Sequence, residues 1–132
     1  MKSTLAPGLT RTEAFSVDRE RTIGFLGEDM RVYSTPSMVD DVEYACFRLL
    51  EEHLDEGESS VGIQVSMDHV GATPLGEDVR VFVEIEKVDG LKVSFRSEIR
   101  DAIETVGRGV HTRFVIDTAR HAERLADKRA RF

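Results

Sequence analysis

From Ser34 to Leu54 the chain reads STPSMVDDVEYACFRLLEEHL, and its apolar residues recur at helical spacing. At about 100° per residue, Met38, Val39, Val42, Ala45, Cys46, Phe47, Leu49, Leu50 and Leu54 fill one arc. Asp40, Asp41, Tyr44, Arg48, Glu51, Glu52 and Asp55 fill the other. Thr35-Pro36 supplies a start signal, with Thr as the cap and Pro in the first turn. The polar stretch DEGESS ends the helix near Leu54.

Beyond the helix the period shortens to two. VGIQVSMDHVGAT places Val61, Ile63, Val65, Met67 and His69 on one face of a strand. DVRVFVEIEKV aligns Val79, Val81, Val83 and Ile85, and Asp89-Gly90 predicts a tight hairpin turn. LKVSFRSEI then aligns Leu91, Val93, Phe95 and Ile99, and a second turn near Asp101-Ala102 leads into ETVGRGVHTRFVI. Upstream, TEAFSVDRERTI predicts a first strand, and the glycine-punctuated GFLGEDMRVY a loop or lid. Residues 1–10 read as a loose leader, and residues 119–132 as a charged tail able to form a short helix. The order is strand, long helix, antiparallel meander. A helix with one apolar face on a curved sheet buries both elements, so the predicted class is α+β in a single domain of residues 1–132.

Composition narrows the partners. Asp and Glu number 25 against 18 Lys and Arg, a net charge of −7, which gives no basic field for nucleic acid or anionic lipid. No apolar run is long enough to span a bilayer, and MKSTLAPGLT lacks a signal-peptide core, so the expected location is the cytoplasm. A single cysteine excludes an internal disulfide, and the four histidines show no ligand spacing, so no metal or other cofactor is expected. There is no phosphate-binding glycine loop and no serine elbow.

Two residues break the pattern. Glu43 falls on the apolar arc of the helix, within about 20° of Leu50 and Leu54. His69 shares strand parity with Ile63, Val65 and Met67, on the face expected to meet the helix. An unpaired buried carboxylate is costly, and a carboxylate beside an imidazole forms a charge-assisted pair in which each group shifts the other's pKa. Such pairs are enriched at active sites.

The segments STPSMVDDVEYACFRLLEEHL, SSVGIQVSMDHVGATPLGEDVRVFVEIEKVDG and GRGVHTRFVI, in this order and spacing, resemble the hotdog-fold acyl-CoA thioesterases, and within them the fluoroacetyl-CoA thioesterase group. The resemblance covers about residues 12 to 125. It implies a hotdog fold and a catalytic set of Thr, Glu and His, matched here by Thr35, Glu43 and His69. It also implies that a strand glycine and a late-strand arginine bind the thioester, matched by Gly62 and Arg113. The implied substrate is an acyl-CoA, the implied reaction hydrolysis to free acid and CoA, and the implied assembly a homodimer with sites at the subunit interface, extendable to a dimer of dimers. In the fluoroacetyl-specific members a lid phenylalanine gates the pocket; residues 27–33 here, GEDMRVY, contain none, with Phe25 and Tyr33 flanking them. The alternative function is a non-catalytic acyl-thioester or small-ligand binding module using the same pocket. A hydratase of this fold is disfavoured, because the Asp and His loop motif of those enzymes is absent before the helix.

Overall fold

The computed structural model describes residues 1–132. Strand β1 (Thr10–Ser16) leads into a segment with two 3-10 turns, Arg19–Arg21 and Glu28–Met30, and two short strands, β2 (Thr22–Ile23) and β3 (Val32–Tyr33), which pair with each other. Helix α1 (Thr35–Glu51) follows, then β4 (Glu58–His69), β5 (Asp78–Asp89), β6 (Lys92–Arg100), β7 (Thr105–Asp117) and helix α2 (Thr118–Arg129). The five long strands form one antiparallel sheet in the order β1-β5-β6-β7-β4. One long helix lies on this curved sheet, which is the α+β hotdog arrangement. The predicted first strand stops at Ser16, and the rest of residues 12–23 is turn and β2.

Strands β5, β6 and β7 follow one another as hairpins. β4, however, pairs with β7 and not with β5, its successor in sequence. Alternation specifies which face a residue takes, not which strand lies beside it, so the pattern alone left this crossover open. Val79, Val81, Val83 and Ile85 of β5 face the helix with Val93, Phe95 and Ile99 of β6, each at most 1% exposed. Against them α1 sets Met38, Val42, Ala45, Cys46, Leu49 and Leu50. Cys46 is a small apolar core residue, and burial pushes its thiol pKa up. Leu91, expected in the same row, is exposed instead. It shares a two-residue turn with Gly90, whose φ of 60° favours glycine, between the paired residues Asp89 and Lys92.

The ends of α1 differ from the sequence reading in a useful way. Ser34 is the N-cap, its Oγ accepting from the Ser37 amide at 3.1 Å, and Thr35 is the first helical residue. The Thr35 hydroxyl is thereby released for another partner. The helix stops at Glu51, three residues early; Leu54 is nevertheless tucked into the core by the following turn. Residues 1–9, read as a leader, lie against this end of the helix: the Lys2 amide donates to the His53 carbonyl at 2.8 Å, and Leu5 and Leu9 pack on the core. α2 is exposed along its length and capped by Asp117.

The wheel misassigned one carboxylate. Asp41 was placed on the water-facing arc, yet it is only 2% exposed. Residues 17–33 fold over that flank of α1. They bring Arg21, whose Nε and Nη2 donate to the Asp41 carboxylate at 3.0 and 3.2 Å, and the Tyr33 hydroxyl, which donates at 2.6 Å. A wheel records angle and not what later covers it. Asp41→Ala leaves the buried Tyr33 hydroxyl without its partner and the part-buried Arg21 guanidinium with Asp18 alone, and should cost roughly 2–4 kcal/mol. An unchanged denaturation midpoint in urea would refute this account of the cluster.

Candidate active site

The site is built along β4, which is an edge strand, and it depends on a bulge there. The register with β7 slips between Gly62 and Gln64, so Ile63 is the extra residue. Before the slip, Ser60 and Gly62 face the helix, opposite Val115 and Arg113; after it, Val65, Met67 and His69 do, opposite His111, Gly109 and Gly107. The expectation that Val61, Ile63, Val65, Met67 and His69 share one face therefore fails for the first two. A one-residue insertion inverts the parity of everything before it.

Glu43 is the second correction. Its side chain is 49% exposed and does not sit in the middle of the buried stripe. The buried arc of α1 ends at Leu50, and Glu43 lies just beyond it, over the β4 edge. Beneath it is Gly62. A Cβ built on Gly62 would lie 3.4 Å from Glu43 Cδ, 3.4 Å from Arg113 Nη1 and 3.1 Å from His111 Cε1. Only a residue without a side chain lets these three groups converge on the strand backbone. Arg113 approaches Glu43 at 3.8 Å, and Phe47 covers its guanidinium at 5.5 Å.

Arg113 is itself buried, 4% exposed, and closely satisfied. Its Nε donates to Ser60 Oγ at 2.7 Å, its Nη2 to the Ser60 carbonyl at 2.9 Å, and its Nη1 lies 3.2 Å from His111 Nε2. Burial lowers its pKa, opposed by the charge of Glu43. The hollow bounded by Asp40, Glu43, Tyr44, Phe47 and Arg113 is shallow, about 300 Å³. A larger one, about 490 Å³, lies over Thr12, Arg80 and Phe82 on the other face of the sheet, away from every residue discussed here.

His69 stands elsewhere. Its Nδ1 lies 2.8 Å from the Thr35 hydroxyl, and its ring meets Tyr33 edge-on, centroids 6.1 Å apart. Burial lowers its pKa, partly offset by the Gly71 backbone, so the imidazole is neutral at pH 7. Thr35 and Glu43 are eight residues apart on one helix, about 12 Å along its axis. Gly62 and His69 are separated by roughly 20 Å of strand. Glu43 and His69 share no hydrogen bond or ion pair within the chain. The five residues singled out in the sequence thus form two clusters, Thr35 with His69 at the end of β4 and Glu43 with Gly62 and Arg113 at the bulge seven residues earlier. Sequence reasoning missed Ser60 and His111. His111 carried a signal: it shares strand parity with Arg113, two residues on.

One long helix laid on a curved antiparallel sheet is the arrangement of the thioesterase superfamily. A member of that superfamily from Thermus thermophilus superposes with a TM-score of 0.90 at 26% identity, over 98% of this chain and 96% of that one. More narrowly, the model of the fluoroacetyl-CoA-specific thioesterase family matches residues 17–119, and the chain belongs to that family of thioester hydrolases. The fluoroacetyl-CoA thioesterase of Streptantibioticus cattleyicolor is 31% identical over 135 residues, spanning 97% of each chain. A phenylalanine-to-alanine variant of the fluoroacetyl-CoA-specific thioesterase FlK, solved with fluoroacetate and CoA, superposes with a TM-score of 0.81 at 31% identity, over 89% of this chain and 99% of that one.

Proposed function

We propose that the protein hydrolyses a small acyl-CoA thioester to the free acid and CoA, with Glu43 as the reacting carboxylate. The observation that carries this is the placement of Glu43: half-exposed, paired with a buried cation, and poised over the side-chain-free backbone at Gly62. A thioester carbonyl lying on that backbone meets the carboxylate directly or through one water. Both the nucleophilic and the general-base route use the same group. A backbone N–H at the bulge is suited to the oxygen as charge develops on it. Arg113, enclosed by Ser60, His111 and Phe47, acts on the substrate through Glu43.

His69 serves the leaving group. In the tautomer this role requires, the Thr35 hydroxyl, 2.8 Å away, donates to Nδ1 and the proton sits on Nε2 for the departing CoA sulfur. Within one chain His69 is too far from Glu43 for this, and a homodimer joins them. The outer edge of β4 is unpaired, and Ile63 and Val65 on it are 49% and 42% exposed. Such an edge favours pairing with a second copy. Twofold antiparallel pairing centred near Val65 sets Gly62 of one protomer opposite the partner's His69. Light scattering at micromolar concentration should return twice the chain mass, and a monomer would refute this assembly.

Release of free thiol from a panel of short acyl-CoAs tests the reaction; no release from any member refutes it. The lid sharpens the expected specificity. Phe25 is 88% exposed and Met30 56%, while Tyr33 is held by Asp41, so no aromatic residue of this segment closes over the site. Fluoroacetyl-CoA and acetyl-CoA should therefore have specificity constants within about tenfold of each other, as expected where discrimination rests on a small apolar difference. A preference of several orders of magnitude for the fluorinated substrate would show that the segment does gate the pocket.

A further inference from the structure

His111 is 2% exposed, on the central face of the sheet, and takes no part in the reaction outlined above. Its surroundings determine its tautomer. Nδ1 lies 2.7 Å from the Gln64 carbonyl, which can only accept, so Nδ1 carries the proton. Nε2 lies 3.2 Å from Arg113 Nη1, which can only donate, so Nε2 is bare. The ring stacks on Phe95, with centroids 6.2 Å apart and planes at 28°, which holds its rotation. Both of its polar contacts reach the site. Gln64 closes the bulge that turns Gly62 toward the helix, and Nη1 of Arg113 is the nitrogen nearest Glu43.

We propose that His111 is a positioning residue for Glu43: it anchors the β4 bulge with one ring nitrogen and, with the other, aims the Arg113 guanidinium at the Glu43 carboxylate. With Nε and Nη2 bonded to Ser60 and Nη1 to His111, the guanidinium is fixed so that Nη1 lies 3.8 Å from the Glu43 carboxylate. A protonated ring would oppose this arrangement, because its Nε2–H would face the guanidinium donor for donor. The charged groups facing the ring are Arg113 on β7 and Glu43 on α1, with no charged side chain offered by the bulge itself. Burial, reinforced by Arg113, keeps the ring neutral against the pull of Glu43 and of the Gln64 carbonyl. The proposal rests on the reading of Glu43 as the reacting group.

Two conservative variants separate the contacts. His111→Gln keeps an acceptor at the Nε2 position for Arg113 and loses the donor to Gln64. His111→Asn keeps that donor and cannot reach Arg113. Misplacing a catalytic carboxylate by about 1 Å costs on the order of a hundredfold in rate. His111→Asn should therefore lower kcat by about a hundredfold with KM little changed, and His111→Gln should recover most of that loss. The reverse order of the two variants overturns the aiming role and leaves His111 as a strut for the bulge. Wild-type kcat in folded His111→Asn, where Glu43→Gln is inactive, overturns it as well. Turnover by Glu43→Gln instead overturns the reading of Glu43 and, with it, this proposal. Nitrogen-15 spectra of the wild-type imidazoles give an answer that does not depend on any variant folding. They should show His111 neutral and protonated on Nδ1 at pH 7 to 8, and a proton on Nε2 in that range overturns the proposal.

Discussion

Glu43→Gln should lower turnover of a short acyl-CoA by roughly two to four orders of magnitude, the usual cost of removing a group that joins the transition state. The amide keeps the size of the side chain, but it can neither attack a carbonyl nor take a proton from water. The loss should fall on kcat, because the reacting carboxylate matters most once charge has begun to move. The fold should survive. Glu43 is 49% exposed and stands 3.8 Å from Arg113, so its ion pair contributes about 1 kcal/mol or less. Arg113 also keeps Ser60 and His111. Thermal melts and circular dichroism close to wild type, beside a collapsed rate of thiol release, are the expected pair of results. A folded variant with near-wild-type turnover would sink the catalytic reading and favour the binding-module alternative.

The parts of this molecule that were legible in the sequence are those governed by local periodicity. β5 and β6 bury the rows that their alternation marks, and α1 starts within a residue of Thr35-Pro36. The misses that bear on the site come from tertiary events that periodicity does not encode. Asp41 looked solvated until residues 17–33 folded over it, and Glu43 looked buried because a wheel shows no sheet edge. The bulge at Ile63 inverted the parity of Val61 while sparing Val65, Met67 and His69, so the alternation counted from Val61 failed for its first two residues and held for His69, which lies beyond the insertion. The resemblance supplied Thr35, Gly62 and Arg113, which no pattern marks. It did not supply the geometry that separates Thr35 and His69 from the other three.

That separation leads to the experiment with the most distinctive outcome. Glu43→Gln and His69→Ala should each be nearly inactive alone, yet mixing them under conditions that exchange subunits should restore activity. In a mixed dimer one site joins Gln at position 43 to Ala at the partner's position 69 and is dead twice over. The other joins an intact Glu43 to the partner's His69. Random exchange makes about half of all dimers mixed, each with one working site of two, so recovery should approach about a quarter of wild-type activity. If each site were built within one chain, every site in the mixture would carry one lesion and nothing would return. The placement of the groups favours the first outcome. Thr35 holds His69 at the end of β4, Arg113 pairs with Glu43 over the bulge, and about 12 Å of helix lies between Thr35 and Glu43. Exposed Ile63 and Val65 would supply the apolar contact of the proposed pairing. Gel filtration of the mixture must still show a dimer. Activity no higher than the sum of the two variants in a fully exchanged sample would place both halves of the site in one chain.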